Sequence, residues 1–174
     1  GSFKETYKGH GTDIALIGGL LGYNTSDKRI RTSLEDAKEA GIDFEFIESE
    51  VEHIHPNTAK LEVEAGRHSL DLIGKSIGGG KMVIFELLGF DVNLSGDFPS
   101  YFVFYKFSEK NKTHLLSEIN NIFGDNKVSD NFSDSILEGV NLLVVEVLEE
   151  ISTKQIERIA NLEYVNEVKF ADKL

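Results

Sequence analysis

Tyr101-Phe102-Val103-Phe104-Tyr105-Lys106-Phe107 reads as a strand, and the pattern that follows it sets the fold of the C-terminal half. Leu115, Ile119 and Ile122 recur at i, i+4 and i+7, the spacing of one helix face, and this helix ends near Gly124. A weakly patterned strand or two lies between Lys127 and Leu137, and Val140 to Leu148 is a strong strand. Ser152 with Gln155 three residues on makes a capping box for a helix running through Ala160, and Val165 to Phe170 closes the chain as a strand. Strand, helix, strand, strand, helix, strand predicts a split βαβ, ferredoxin-like unit.

Working backwards, Ser95-Gly96-Asp97-Phe98-Pro99 is a turn-rich seam holding one of only 2 prolines. It divides the chain into an expected first domain, residues 1–96, and a second, residues 97–174. In the first, Thr12 to Leu21 is apolar nearly all round and predicts a buried helix, with Gly18 and Gly19 allowing close backbone approach. Ile30, Leu34 and Ala37 predict a surface helix over roughly 27–40, with Ser26 as cap and Gly41 just past its end. Asp43 to Ile47 predicts a short strand with Phe44 and Phe46 inward, and Ala59, Leu61, Val63 and Ala65 alternate with charged residues as a half-buried strand. Ser69–Ile73, Met82–Leu87 and Phe90–Leu94 read as further strands, with turns at Gly66, Gly74, Gly78–Gly80 and Gly89. Two helices then about five strands, followed by the ferredoxin-like unit, make an α+β protein of two domains.

The 174 residues are 40% hydrophobic and 28% charged, enough to bury a core. Lys plus Arg is 18 against 30 for Asp plus Glu, a net charge of −12, which disfavours duplex nucleic acid and anionic membranes as partners. No stretch is long and apolar enough to span a bilayer and no basic-then-apolar signal opens the chain, so a cytoplasmic protein is expected. With 0 cysteines the chain offers no thiolate to zinc or an iron–sulfur cluster, no disulfide and no cysteine nucleophile. The first residues, Gly1-Ser2, carry no initiator Met, so either a trimmed fragment or a chain opening on a tag remnant is expected.

Three segments could carry chemistry. In His53-Ile54-His55-Pro56-Asn57 the two histidines share a face if the chain is extended, a spacing open to a divalent metal, with Glu50, Glu52, His10 or His68 as the third ligand required. A structural reading outweighs the metal: Pro56 restricts His55 to an extended conformation and Asn57 caps the next strand. A third reading makes His55 and Asn57 a polar clamp for a carboxylate, ammonium or hydroxyl group. Gly74-Lys75-Ser76-Ile77-Gly78-Gly79-Gly80-Lys81 mimics a phosphate loop but lacks its first glycine, Ser69 standing there. Its three consecutive glycines could form an anion nest beside Ser76 and Lys81, or simply a bulged link between strands. Ahead of the first helix, Lys8, His10, Thr12 and Asp13 surround two glycines, either a site facing a ligand or a solvated loop with Thr12 or Asp13 as N-cap. No Ser–His–acid triad is supported by spacing, and no residue is assigned to catalysis or to a metal.

Together, Gly1-Ser2-Phe3, Thr6-Tyr7-Lys8-Gly9-His10-Gly11-Thr12-Asp13, His55-Pro56-Asn57-Thr58-Ala59 and Ser76-Ile77-Gly78-Gly79-Gly80 resemble the β subunit of bacterial iron–sulfur L-serine dehydratases. The resemblance implies an allosteric substrate-binding domain followed by an ACT domain, and the deamination of L-serine to pyruvate and ammonia. It implies a [4Fe-4S] cluster held by cysteines of a partner α subunit and none held by this chain. It places His55 and Asn57 in a serine-responsive pocket; beside it we infer, and the resemblance does not itself give, that Ser76, Gly78, Gly79 and Gly80 line that pocket and that the loop of Lys8, His10, Thr12 and Asp13 faces the active site. The family's Ser-Ser-Ser-His-Thr segment does not occur here, so the isolated chain is expected to be inactive. The loop Ser108-Glu109-Lys110-Asn111-Lys112 has neither the proline nor the glycine of ligand-binding ACT loops, so self-association through the ACT domain is the expected use of that domain. The alternative is a free-standing amino-acid-sensing module without catalytic activity.

Overall fold

A computed structural model describes residues 7–48, 55–134 and 139–173. The chain divides into two compact units, Gly1–Thr58 and Ala59–Leu174. The seam expected near 95–100 lies within the second unit, at the link between its two sheets.

The first unit is small and helical. Helix α1, Thr12–Leu20, starts from Gly11, whose φ of +68° is one that glycine adopts without a Cβ penalty. Of its residues only Ile17 and Gly18 are buried, and Leu20 stays 37% exposed. The all-round burial expected of it is not found. Gly18 does permit a close approach, since a Cβ there would lie 3.2 Å from Ile30 Cγ1, whereas Gly19 faces open space. The helix expected over 27–40 begins instead as a 3-10 turn, Lys28–Thr32, before α2, Ser33–Glu39. Asp27, not Ser26, caps it: its side chain accepts from the Arg29 backbone N–H at 2.9 Å. Gly41, φ +76°, ends α2 as expected, with Gly41 N–H donating to Lys38 and Ile42 N–H to Ala37, a Schellman closure. Buried Ser33 ties α2 to α1 through its hydroxyl, 2.7 Å from the Ile14 carbonyl oxygen. Residues 43–48 form no strand; Phe44 is half-buried and Phe46 is 37% exposed, the two rings 5.9 Å apart with Tyr7 against Phe46. A strand needs a ladder partner, and this segment has none among the described residues.

In the second unit, β1 (Thr58–Ala65), β2 (His68–Gly78), β3 (Lys81–Leu87) and β4 (Phe90–Leu94) form an antiparallel meander in chain order. Gly74 is not the expected turn. Strand β2 runs through it with a bulge, and buried Gly74 sits where a Cβ would come within 3.4 Å of the Val83 carbonyl oxygen. The ferredoxin-like part follows as β5 (Ser100–Lys106), α3 (Glu109–Phe123), β6 (Lys127–Ser133), β7 (Val140–Val147), α4 (Thr153–Ala160) and β8 (Val165–Ala171). Its antiparallel sheet has the order β6-β7-β5-β8, the central strands being the first and third of the βαββαβ unit. Both helices begin on serine: Ser108 Oγ accepts from the Asn111 N–H at 3.1 Å, and Ser152 with Gln155 forms the expected capping box.

Period-two alternation in β5 and β7 serves two cores at once. Tyr101, Val103, Tyr105, Leu143, Val145 and Val147 face Leu115, Ile119 and Ile159 of the helices. Phe102, Phe104, Leu142 and Val144 face Leu87, Phe90, Val92 and Leu94 of the meander. The chain is therefore α+β, with helices on one face of the second sheet and the meander on the other.

Candidate functional site

His55, Pro56 and Asn57 form a turn leading into β1. The half-buried imidazole is tied into it: Nδ1 accepts the Asn57 backbone N–H at 3.2 Å, and the Thr58 hydroxyl donates to the His55 carbonyl at 2.7 Å. With Nδ1 used as an acceptor, Nε2 is the nitrogen left for a ligand. The cap is thus made by His55 and Thr58, and no hydrogen bond of the Asn57 side chain is formed among the described residues. His53 of the metal reading, and Glu50 and Glu52 among its four alternative third ligands, lie outside the described residues, as do Gly1, Ser2, Phe3 and Thr6. Among the described residues no three His, Asp or Glu side chains are grouped to hold a metal.

Ser76 is half-buried on β2, opposite Met82, and Gly78 pairs with Lys81 to close the β2–β3 hairpin around Gly79 and Gly80. All three glycines have positive φ, +88°, +63° and +76°, and all face open space. Their glycine identity is therefore demanded by a tight hairpin turn with left-handed central residues rather than by close packing. His55 and Asn57 belong to the first unit and Ser76 to Gly80 to the second.

The loop before α1 closes on itself, Gly11 N–H donating to the Lys8 carbonyl at 3.2 Å and Thr12 N–H to Tyr7 at 2.9 Å. Lys8 Nζ lies 5.7 Å from the centre of the Tyr7 ring, and the Asp13 carboxylate accepts the Ile14 N–H at 2.9 Å. Gly11 occupies the N-cap expected of Thr12 or Asp13.

Of Lys8, His10, Thr12 and Asp13, His10 lines an open cleft, together with Gly11 of the same loop. The cleft, of about 390 Å³, is also lined by Thr25, Ser26, Asp27, Lys28 and Arg31. Ile14 and Ile30 supply its apolar part. Asp27 is engaged from behind by Arg29, whose Nε lies 3.1 Å and Nη2 2.6 Å from its oxygens, while the Arg29 guanidinium stacks 4.3 Å from the Tyr23 ring centre. The Arg29 side-chain and backbone hydrogen bonds hold the Asp27 carboxyl below its usual range and raise the guanidinium. Partial desolvation, then the hydrogen bond to Asp36 at 3.0 Å, raises the Tyr23 phenol. Lys28 and Arg31 carry no site signal in their spacing because they sit inside a stretch with a helical apolar repeat, and Ser26 reads there as a helix cap. A signal was present: Lys28-Arg29-Ile30-Arg31 concentrates three cations in a chain of net charge −12.

Comparison with curated proteins finds relatives with the same likeness as the motifs. Over 103 residues the chain is 52% identical to a Bacillus subtilis (strain 168) protein named "Probable L-serine dehydratase, beta chain", covering 59% of this chain and 47% of the relative. The chain resembles L-serine dehydratase β chains. A second relative, "L-serine dehydratase, beta chain" of Peptoniphilus asaccharolyticus, is 40% identical over 107 residues, 60% of this chain and 48% of the relative. The chain spans about half the length of the curated relatives it matches. No protein-family model matches it. Among the described residues no helix is long and apolar enough to cross a membrane.

Proposed function

We propose that this chain is part of the β subunit of a cytoplasmic L-serine dehydratase, which converts L-serine to pyruvate and ammonia. The observation that carries the reading is the 52% identity over 103 residues to a protein named as such a β chain. In this proposal a [4Fe-4S] cluster, acting as Lewis acid on the substrate hydroxyl, belongs wholly to a cysteine-bearing α subunit. What supports this division is that the chain has 0 cysteines and so offers no thiolate to a cluster.

The chain's part is then regulatory and architectural. The His55–Asn57 turn, its imidazole Nδ1 accepting the Asn57 N–H and its His55 carbonyl accepting the Thr58 hydroxyl, contributes to a serine-responsive pocket. Ser76 and Gly78–Gly80 are assigned to that serine response, and the loop of Lys8, His10, Thr12 and Asp13 faces the catalytic subunit. Self-association through the ACT domain completes the assembly. Linkage requires that serine bind the active arrangement more tightly than the inactive one. The test is the α–β complex with wild-type or His55→Ala β chain, assayed for pyruvate against serine concentration while the cluster absorbance is followed. Half-activation moves to higher serine in the variant with the absorbance unchanged, and an identical activation curve would overturn the assignment of His55. A chain that binds serine alone and never associates with an α subunit would favour the amino-acid-sensing module instead.

A further inference from the structure

Two cations in the first unit have no partner that the fold explains. Lys28 and Arg31 line the cleft ahead of α2, and among the described residues neither forms an ion pair, although the chain carries 30 acidic side chains. Their placement follows from the local backbone. In a 3-10 turn residues i and i+3 eclipse, so the Lys28–Thr32 segment stacks Lys28 and Arg31 on one side, whereas an α-helix would stagger them. Arg29 points elsewhere, onto Asp27 and the Tyr23 ring. Two neighbouring like charges repel, and the one carboxylate in the cleft, Asp27, is already met by Arg29 through its backbone N–H, Nε and Nη2.

We propose that this cleft binds the carboxylate of a small organic acid, held by Lys28 and Arg31. An open cleft of about 390 Å³ takes a small molecule rather than a chain. The Arg31 guanidinium fork suits a planar two-oxygen acceptor and Lys28 adds a point charge. A singly charged anion is preferred over a doubly charged one, because the Asp27 carboxylate stands in the same wall. The inference rests on the cleft alone and is independent of the dehydratase reading, so either can fail without the other.

Amide NMR of the whole chain titrated with sodium acetate, against sodium chloride and inorganic phosphate at matched ionic strength, tests it. Saturable acetate shifts at Gly11, Ser26, Lys28 and Arg31 are expected. Their dissociation constant should rise about tenfold or more in Lys28→Gln/Arg31→Gln, the loss of charge-assisted hydrogen bonds. Arg31→Lys keeps the charge without the fork, and an intermediate affinity with an unchanged spectrum elsewhere separates lost binding from lost folding. Acetate shifts no larger than those of chloride, a tighter response to phosphate, or an affinity unchanged in the double variant would each overturn the proposal.

Discussion

Helix α1 and strand β5 are both apolar runs, yet their burial differs. Six consecutive residues of β5, Ser100 to Tyr105, are buried, whereas α1 buries only Ile17 and Gly18 and leaves Leu20 37% exposed. The cause is the number of covered faces. Strand β5 lies between β7 and β8 in its sheet, with helices above and the meander below. Helix α1 has α2 and the 3-10 turn as its partners in the first unit. Apolar content states how much surface could be buried; neighbours decide how much is.

The contrast is broken most strongly in the middle of the second sheet. Leu143 is 0% exposed and faces the helices, so Leu143→Ala is expected to cost about 2–5 kcal/mol, the sum of lost transfer energy and the cavity left behind. Leu20→Ala, at a surface position, should stay within about 0.5 kcal/mol. Urea unfolding monitored by amide exchange, which separates the two units, checks both. Equal effects would mean that α1 is covered as well as β7 is.

A second comparison lies in the meander's own hairpins. The β2–β3 turn places Gly79 and Gly80 at φ +63° and +76°, and the β3–β4 turn places Leu88 and Gly89 at φ +53° and +78°. Leu88 accepts the left-handed backbone because its side chain packs on the core between the sheets and its N–H donates to the Asp71 carbonyl at 2.7 Å. Gly79 has no such compensation available, since a Cβ there meets nothing. Gly79→Ala should therefore cost about 1–2 kcal/mol of left-handed strain. Leu88→Gly relieves strain and forfeits packing together, leaving stability within about 1 kcal/mol of the parent. Thermal unfolding of the two variants side by side reads the difference, and a larger loss in Leu88→Gly than in Gly79→Ala would reverse the argument.

How much was legible followed the same physics. The strands and helices from Tyr101 to Phe170 were readable because alternation, helical spacing and the Ser152–Gln155 box all agree there, and the sheet order then follows from the βαββαβ connection. Gly74 misled because a glycine that marks a turn and one that lets a bulged strand approach its neighbour have the same sequence signature. Phe44 and Phe46 alternate as a strand should, but pairing is a property of a second segment that local pattern does not contain. Of the site, His10 could be found from its place before a helix, and the His55 turn from Pro56. Lys28 and Arg31 could not, because Ile30, Leu34 and Ala37 satisfy an α-helical repeat, and the 3-10 start that brings those two cations into eclipse is not written in that repeat.

The smallest expected effect is the most exacting, because it separates two tyrosines on the same face of β5. Tyr101 packs between Phe123 and Phe170, 5.5 and 5.0 Å away, and its hydroxyl accepts the Ile151 N–H at 3.0 Å. Tyr105 is equally buried, but its hydroxyl has no hydrogen-bond partner among the described residues, and the neighbouring Asn141 amide donates to Asp134 instead. Tyr101→Phe leaves a backbone N–H unpaired and should cost about 1 kcal/mol, whereas Tyr105→Phe removes an unsatisfied group and should be neutral or slightly stabilising. The pH dependence sharpens the difference. Burial, offset in part by the Asn141 side chain, pushes the Tyr105 phenol from 10.0 up to about 12. Below pH 10 both folded and unfolded chains hold the proton and stability is full; between about 10 and 12 the unfolded chain releases it first, so stability falls as pH rises. Tyr105→Phe should flatten that alkaline loss without lowering stability at pH 7. A variant that is destabilised at neutral pH would show instead that the Tyr105 hydroxyl has a partner in solution.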